Sequence, residues 1–308
     1  MGFTYLFQIP NEVNQKIIEK PVPAKKNIQN ERHYQELLIF LSKCKTDISG
    51  IDEFGWTPLH KAIELNDVEI VKQLISNSKG IDLNFTNYIG TTPLTFAISV
   101  ENLQVIKFLI VNGADINIAD KLGWTPISKA ICVNNLEIFN LLIENGADVN
   151  LADSSGMTPL MKAIIWNEMA MIKILIKKGA NINFVDGSGW SPLTKAISRA
   201  NLEIITLLLR NGANVNMVDG KGSIPITLTV ELDCFEILKL LIEHGADINR
   251  VDAVGATPIA IAVFKGNFGI MNYLQENGAN LSIKTEDHNS YEIAMRCHQK
   301  NILKQLLY

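Results

Sequence analysis

The chain has 308 residues with 28 basic and 32 acidic side chains, so its formal net charge is -4. This balance lacks the strong basic excess of a dedicated nucleic-acid-binding protein, and we do not expect nucleic acid as the main partner. Hydrophobic residues make up 47% of the sequence, which is enough to build a packed core.

The first 30 residues differ from the rest of the chain. They contain three prolines and the basic stretch PAKKN, a composition that is typical of a flexible arm. The apolar stretch GFTYLFQI has no basic flank like that of a signal peptide, and no apolar run in the chain is long enough to cross a bilayer. We therefore expect residues 1–30 to be an N-terminal extension, either free or docked on the protein or a partner, and no transmembrane segment.

A motif of the form Gly-x-Thr-Pro-Leu recurs through the rest of the chain. A second motif, NGADVN at 145–150 for example, falls between successive copies of the first. Self-similarity of this kind predicts stacked repeats, each of which buries its apolar face against its neighbours. The first motif begins at glycines that are 33 residues apart after one step of 35: Gly55, Gly90, Gly123, Gly156, Gly189, Gly222 and Gly255.

Each repeat predicts a turn followed by two short helices. In residues 120–152, Gly123 lies in a turn, Thr125 suits a helix N-cap, and Pro126 suits the first helical position, where its missing N–H costs nothing. Gly146 is placed to end the second helix in a left-handed conformation. Neither helix exceeds about three turns, so each needs its neighbours for stability.

These motifs, GWTPLHKA at 55–62 and NGADVN at 145–150, resemble those of the ankyrin repeat. The resemblance implies an all-α solenoid of stacked antiparallel helix pairs with β-turn fingers, in which the fingers and first helices line a concave groove. It covers residues 31–308, which we divide into a half-repeat cap at 31–51, seven clear repeats over 52–283 and a degenerate C-terminal repeat at 284–308.

Two departures from the family pattern predict local differences. His60 is the only histidine at the fourth position of the Thr-Pro-Leu-His motif, so the hydrogen bonding between repeats that the family implies is expected to be weaker elsewhere, with the fold unchanged. In the sixth repeat, Ile224 replaces the capping Thr and Thr229 replaces the packing Ala. We expect that repeat to be the least stable interior one.

Catalytic motifs are absent from the sequence. There is no nucleophile elbow, P-loop or HExxH, the histidines are scattered, and the aspartates that begin the fingers occur once per repeat. The four cysteines are far apart and show no metal-ligand spacing, which favours a reducing, intracellular compartment. We expect no enzymatic activity, cofactor, metal site or small-molecule substrate.

The resemblance implies that partner contacts lie in the fingers and at the ends of the first helices. Tryptophan is the residue most enriched in binding hot spots, and all four tryptophans fall at these positions. For Trp124 and Trp190 a structural role, shielding the neighbouring finger, is equally open. The apolar and aromatic residues that we transfer to the partner-binding set are Phe54, Trp56, Tyr88, Leu122, Trp124, Met157, Trp166 and Trp190.

Lysines recur at one position of the first helices, at Lys61, Lys129, Lys162 and Lys195, and Arg199 lies near the last of them. Such a column is usually a solvated face. The alternative is that it steers an acidic segment of a partner. On the second interpretation Lys129, Lys162, Lys195 and Arg199 complete the partner-binding set.

The sequence therefore predicts a non-catalytic protein-interaction module, which acts as an adaptor, scaffold or regulatory subunit. We expect it to be cytoplasmic and, alone, monomeric. Two alternatives remain open: a structural subunit of a large cytoskeletal or ciliary assembly, and a bacterial or parasite effector that binds a host protein.

Overall fold

The computed structural model describes residues 51–53, 55–77, 81–220, 222–253 and 255–283. The expected N-terminal extension, nearly all of the half-repeat cap and the expected repeat at 284–308 lie outside the described residues. Within the described ranges the chain forms 14 α-helices and no strand. These helices belong to two compact units, which comprise the described parts of 51–180 and of 181–283.

The 51–180 unit consists of four helix pairs. In each pair a short helix that begins at a proline packs against the helix that follows it, and the first helices of successive repeats pack side by side. The interior is apolar, with Phe139 as its largest fully buried hydrophobic side chain. The helices are α1 (Pro58–Glu64), α2 (Val68–Asn77), α3 (Pro93–Ser99), α4 (Leu103–Val111), α5 (Pro126–Val133), α6 (Leu136–Glu144), α7 (Pro159–Ile165) and α8 (Met169–Lys177).

The 181–283 unit repeats the same arrangement three times. Its first helices also pack against one another in chain order. The all-α architecture of stacked helix pairs that the sequence predicts is therefore confirmed in both units. The helices are α9 (Pro192–Ser198), α10 (Leu202–Arg210), α11 (Pro225–Glu231), α12 (Phe235–Glu243), α13 (Pro258–Lys265) and α14 (Phe268–Glu276).

The predicted capping chemistry begins the first helices. At α5 the Thr125 side chain accepts a hydrogen bond from the Ser128 backbone N–H, and Pro126 occupies the first turn. At α11 the equivalent residue is Ile224, which is buried and has no oxygen to offer. Only the reverse contact remains there, because the Thr227 hydroxyl accepts from the Ile224 N–H at 3.2 Å. Reduced stability of this repeat stays a prediction.

A left-handed residue separates the two helices of every described repeat. Asparagine at this position tolerates positive φ, and Asn134 has φ 54°. Ala200 occupies the equivalent position with φ 50°, where its Cβ is strained. The full set is Asn66, Glu101, Asn134, Asn167, Ala200, Asp233 and Gly266.

Asparagines after the second helices link consecutive repeats. In the 51–180 unit, Asn117 Oδ1 accepts from the Asp148 backbone N–H at 2.8 Å. In the 181–283 unit, Asn216 Oδ1 accepts from the Asp247 N–H at the same distance, and its Nδ2 donates to the Gly245 carbonyl at 3.1 Å. The side-chain amides of Asn117 and Asn216 thus hold neighbouring repeats together.

Candidate protein-binding surface

Each finger is a tight turn organised by its first residue. Asp120 Oδ1 accepts from the backbone N–H groups of Leu122 and Trp124, both at 2.9 Å. Gly123 has φ 79°, and a Cβ there would lie 2.5 Å from the backbone N of Ser154 in the next finger. Consecutive fingers are therefore in close contact, and the Ser154 N–H donates to the Leu122 carbonyl at 3.1 Å. This spacing brings the finger tips into a row.

Three of the four recurring lysines, Lys61, Lys162 and Lys195, form ion pairs with the fingers. Lys61 Nζ lies 3.1 Å from Asp52 Oδ2, and Lys162 Nζ lies 2.9 Å from Asp153 Oδ2. Sequence reasoning missed these pairs, although the constant spacing of nine residues between Asp and Lys was a visible signal. In the 181–283 unit, Lys195 and Asp186 form the same pair at 2.8 Å. Charge neutralised inside the protein contributes little to steering a partner.

Lys162 is almost wholly buried, with 1% of its surface exposed. Its ammonium group donates to Ser128 Oγ at 3.3 Å and lies 4.5 Å from the centroid of the Trp124 ring. The expectation of a solvated lysine column is therefore wrong at this residue, because the finger and the tryptophan enclose it. Burial lowers the pKa of Lys162, and the Asp153 carboxylate opposes that shift.

Asp153 is the buried partner of Lys162. Burial raises its pKa, but the hydrogen bonds from Ser155 and Lys162, among others, outweigh burial and hold the pKa below its usual range. The Asp153 carboxylate is thus satisfied by several donors, as a buried ion pair requires if it is to persist.

The tryptophans are half-buried and have internal contacts. Trp56 meets the edge of Phe96 with 4.5 Å between ring centroids, and Trp124 lies 5.8 Å from Trp166. The Lys129 ammonium lies 5.6 Å from the Trp124 centroid. These contacts supply a structural role for the rings, while each of the three tryptophans remains partly exposed as a residue.

The finger tips of the second and third repeats expose large apolar side chains. The exposed fractions are 56% for Tyr88, 66% for Ile89 and 65% for Leu122. The two fingers are adjacent, since the Lys121 N–H donates to the Ile89 carbonyl at 3.3 Å. We call Tyr88, Ile89 and Leu122 the apolar tip cluster.

One other predicted contact residue does not lie on this surface, and a second cannot be placed. Met157, in the fourth finger, is buried and cannot contact a partner in this conformation, so the structure corrects its assignment. Phe54 lies outside the described residues. In the 181–283 unit, Trp190 is half-buried, with the Lys195 ammonium 5.2 Å from its centroid, and Arg199 is exposed.

His60 links the first two repeats. Its Nε2–H donates to the Thr91 carbonyl at 3.1 Å, and the Thr57 hydroxyl lies 2.8 Å from its Nδ1. Burial lowers its pKa to about 4, although the hydrogen bond to Thr91 and the charge of Asp52 oppose the shift. The histidine is therefore neutral at physiological pH, with its proton on Nε2.

In the 181–283 unit, burial raises the pKa of a carboxyl group, Glu231, and so favours its protonated form. Burial raises the pKa of Glu231 at the end of α11 to about 7, assisted by the negative charges of Asp252 and Asp219 and opposed by Lys265. The position nine residues after Asp219 is occupied by Leu228 and not by a lysine. Nothing in the sequence pattern predicted that Glu231 would be buried with a raised pKa.

Among the described residues, no group of three or more His, Cys, Asp or Glu side chains is arranged to hold a metal ion. None of the described helices combines the length and apolar character needed to cross a membrane.

Comparisons with known proteins agree with the geometry. The family described as ankyrin repeats (3 copies) matches residues 27–120, 99–186 and 170–252, and ankyrin repeats (many copies) matches 230–275. A similar solved structure is the ankyrin repeat domain of Bcl-3, described as a unique member of the IkappaB protein family. It is 27% identical with a TM-score of 0.66, and the match covers 72% of this chain and 100% of that one. A search of curated proteins gives no match. Since the family matches cover most of the sequence, the chain belongs to the ankyrin-repeat proteins.

Proposed function

We propose that this protein is a non-catalytic interaction module, an adaptor, scaffold or regulatory subunit, which binds a partner protein through the fingers and first helices of its 51–180 unit. The observation that carries the proposal is the apolar tip cluster. Large apolar side chains exposed side by side on neighbouring fingers are costly in water, and contiguous exposed apolar surface marks interaction sites. The ankyrin-repeat family, whose members are generally interaction modules, supports the same function.

The energetic character of the interaction follows from the charges around the cluster. Lys61 and Lys162 are already paired with finger aspartates. Affinity is therefore expected from burial of Tyr88, Ile89 and Leu122 and from the accessible edges of Trp56 and Trp124. Burying three such side chains contributes on the order of 25 cal/mol per Å² of apolar area, and little of this is screened by salt.

The free protein is proposed to be a cytoplasmic monomer without enzymatic activity. Any effector function would then belong to the partner.

Quantitative affinity purification from native lysate tests this function. The double variant Ile89→Ser/Leu122→Ser removes two side chains that are 66% and 65% exposed, so folding is expected to be unchanged. Val111→Ser is the matched control, because Val111 is 84% exposed at the end of α4, a second helix. A specific partner should be lost with the finger variant and retained with Val111→Ser. Equal recovery with both variants would exclude the tip cluster as the binding surface.

A further inference from the structure

The lysine of the third repeat differs from the other recurring lysines. Lys61, Lys162 and Lys195 each bind the first aspartate of their own finger, at 3.1, 2.9 and 2.8 Å. Within the described residues Lys129 forms no such ion pair, and its ammonium lies 5.6 Å from the centroid of the Trp124 ring instead. Lys129 is half-buried, so solvent still reaches it. The third repeat thus retains a positive charge that no carboxylate of the described chain binds.

A second lysine without an ion pair lies at the tip of the same finger. Lys121 is exposed, and no carboxylate of the described residues pairs with it. It directly precedes Leu122, and its backbone N–H donates to the Ile89 carbonyl, so it borders the apolar tip cluster. The finger and first helix of this repeat, residues 120–133, contain two lysines and one aspartate, which gives a net charge of +1.

The charge has the opposite sign on the other side of the tip cluster. The finger and first helix of the first repeat, residues 52–65, contain three acidic side chains and one lysine, which gives a net charge of -2 with the histidine neutral. Glu53, at the tip of that finger, is exposed and forms no ion pair within the described residues. The finger touches the second one, because a Cβ on Gly55 would lie 2.8 Å from Tyr88 Cδ1. Residues 87–100 of the second repeat carry no charge, so the cluster lies between a negative and a positive side.

We propose that the partner segment on the tip cluster is acidic at the end that lies over the third repeat, where its carboxylates pair with Lys121 and Lys129, and is not acidic at its other end. This inference rests on the proposed function and adds the chemistry and direction of the bound segment. An accessible ammonium group without an ion pair gains a charge-assisted hydrogen bond from a carboxylate, and no existing pair is broken. Repulsion by Glu53 disfavours the reversed segment, so the charges select one orientation while apolar burial supplies most of the affinity.

The probe is a phage-displayed library of dodecapeptides, selected on the full wild-type chain. Enriched peptides should combine aromatic or aliphatic residues with Asp or Glu at one fixed end. Lys121→Gln/Lys129→Gln should weaken their binding at least about fivefold at low ionic strength, and less at high salt, because the lost pairs are solvent-accessible. Neither lysine takes part in an ion pair of the described chain, so the melting temperature should stay close to that of the wild type.

Lys107→Gln/Lys178→Gln is the matched control. It removes the same charge from two exposed lysines, one within α4 and one at the end of α8, both of them second helices of the same unit. The control should bind the peptides within about twofold of the wild type. Equal losses for the two lysine pairs would overturn the inference, as would enriched peptides that lack acidic residues or carry them at both ends.

The direction of the segment has its own test. Glu53→Lys/Lys121→Glu/Lys129→Gln makes the third repeat the more acidic side of the tip cluster. The wild type should prefer the selected peptides over versions whose acidic residues are moved to the other end, and this variant should reverse the preference. An unchanged preference would contradict the assigned direction.

The same peptides separate this inference from the proposed function. If Ile89→Ser/Leu122→Ser abolishes binding while Lys121→Gln/Lys129→Gln does not weaken it, the tip cluster remains the binding surface and only the lysine contacts fail. If neither variant weakens binding, the peptides bind elsewhere and both proposals fail.

Discussion

The fingers of the two units share a backbone but differ in the chemistry of their tips. In the 51–180 unit the second and third fingers carry Tyr88, Ile89 and Leu122 at their tips, whereas the first and second fingers of the 181–283 unit have Gly187, Ser188 and Gly220 at the corresponding places. Both sets of fingers are closed by an aspartate or asparagine that accepts from the backbone four residues later. The repeat geometry therefore depends on the caps and the core, which leaves the tips free to differ.

The apolar exposure of the second unit lies at another position. Val185, Val218 and Val251, each directly before the first aspartate of a finger, are between 39% and 43% exposed. The equivalent residues of the first unit are Ile51, which is 42% exposed, and the smaller Thr86, Ala119 and Ala152. The two units thus present different surfaces from the same repeat, and they also differ in how their buried groups respond to pH.

The largest effect is expected from the buried ion pair of the first unit. Lys162→Met leaves the Asp153 carboxylate buried without its ammonium and should reduce the free energy of unfolding by about 3 kcal/mol. Chemical denaturation monitored by circular dichroism measures the change. Asp153→Asn/Lys162→Met should recover most of the loss, since it removes both charges.

Lys61→Met is the control for that measurement. The Lys61–Asp52 pair is partly exposed, with 16% and 19% of the side chains accessible, so the loss should stay within about 1 kcal/mol. Equal losses for the two lysines would mean that burial does not set the strength of these pairs.

Mild acid should weaken the first two repeats through His60. Its pKa is about 4 in the folded chain and about 6.5 when unfolded, so the unfolded chain binds more protons between these values. Stability therefore falls as pH falls, by about 2 kcal/mol from pH 7 to pH 5. Hydrogen exchange of the α1 and α3 amides, corrected for intrinsic rates, should show less protection at pH 5 than at pH 7. His60→Gln should abolish the pH dependence, and protection that stays constant in the wild type would contradict the account.

The same change of pH should strengthen the sixth repeat through Glu231. Its folded pKa of about 7 exceeds the unfolded value of about 4.5, so here the folded chain binds more protons. Stability rises as pH falls from 7 to 5, again by about 2 kcal/mol, and α11 amides should become better protected. Because the effects of His60 and Glu231 oppose each other, the melting temperature of the whole chain should change little between pH 7 and pH 5. Glu231→Gln should make α11 equally protected at both pH values.

The smallest effect concerns the strained loop residue of the fifth repeat. Ala200→Asn places a residue that tolerates the left-handed conformation at φ 50° and should raise stability by about 0.5 to 1 kcal/mol. Asn134→Ala, at the equivalent position of the third repeat, should lower it by a similar amount. Thermal denaturation of the two variants measures both changes, and shifts of the same sign would contradict the assignment.

The sequence predicted the repeats because their determinants are local and periodic. Thr125, Pro126 and Gly123 each impose a backbone conformation at a fixed position, so caps, turns and helix pairs could be placed before any contact was known. The burial of Lys162 could not be predicted in this way, because it depends on how the Trp124 ring covers the ammonium. The same holds for the raised pKa of Glu231, which depends on how the chain buries that carboxyl group.

The most direct test of the account compares the tips of the two units in one binding measurement. Isothermal titration calorimetry of the captured partner would be carried out on Ile89→Ser/Leu122→Ser and on Val185→Ser/Val218→Ser, with the wild type as reference. The account predicts a loss of at least about tenfold in affinity for the first variant, or ~1.4 kcal/mol, and none for the second. A loss confined to the valine variant would contradict it and place the interaction in the 181–283 unit.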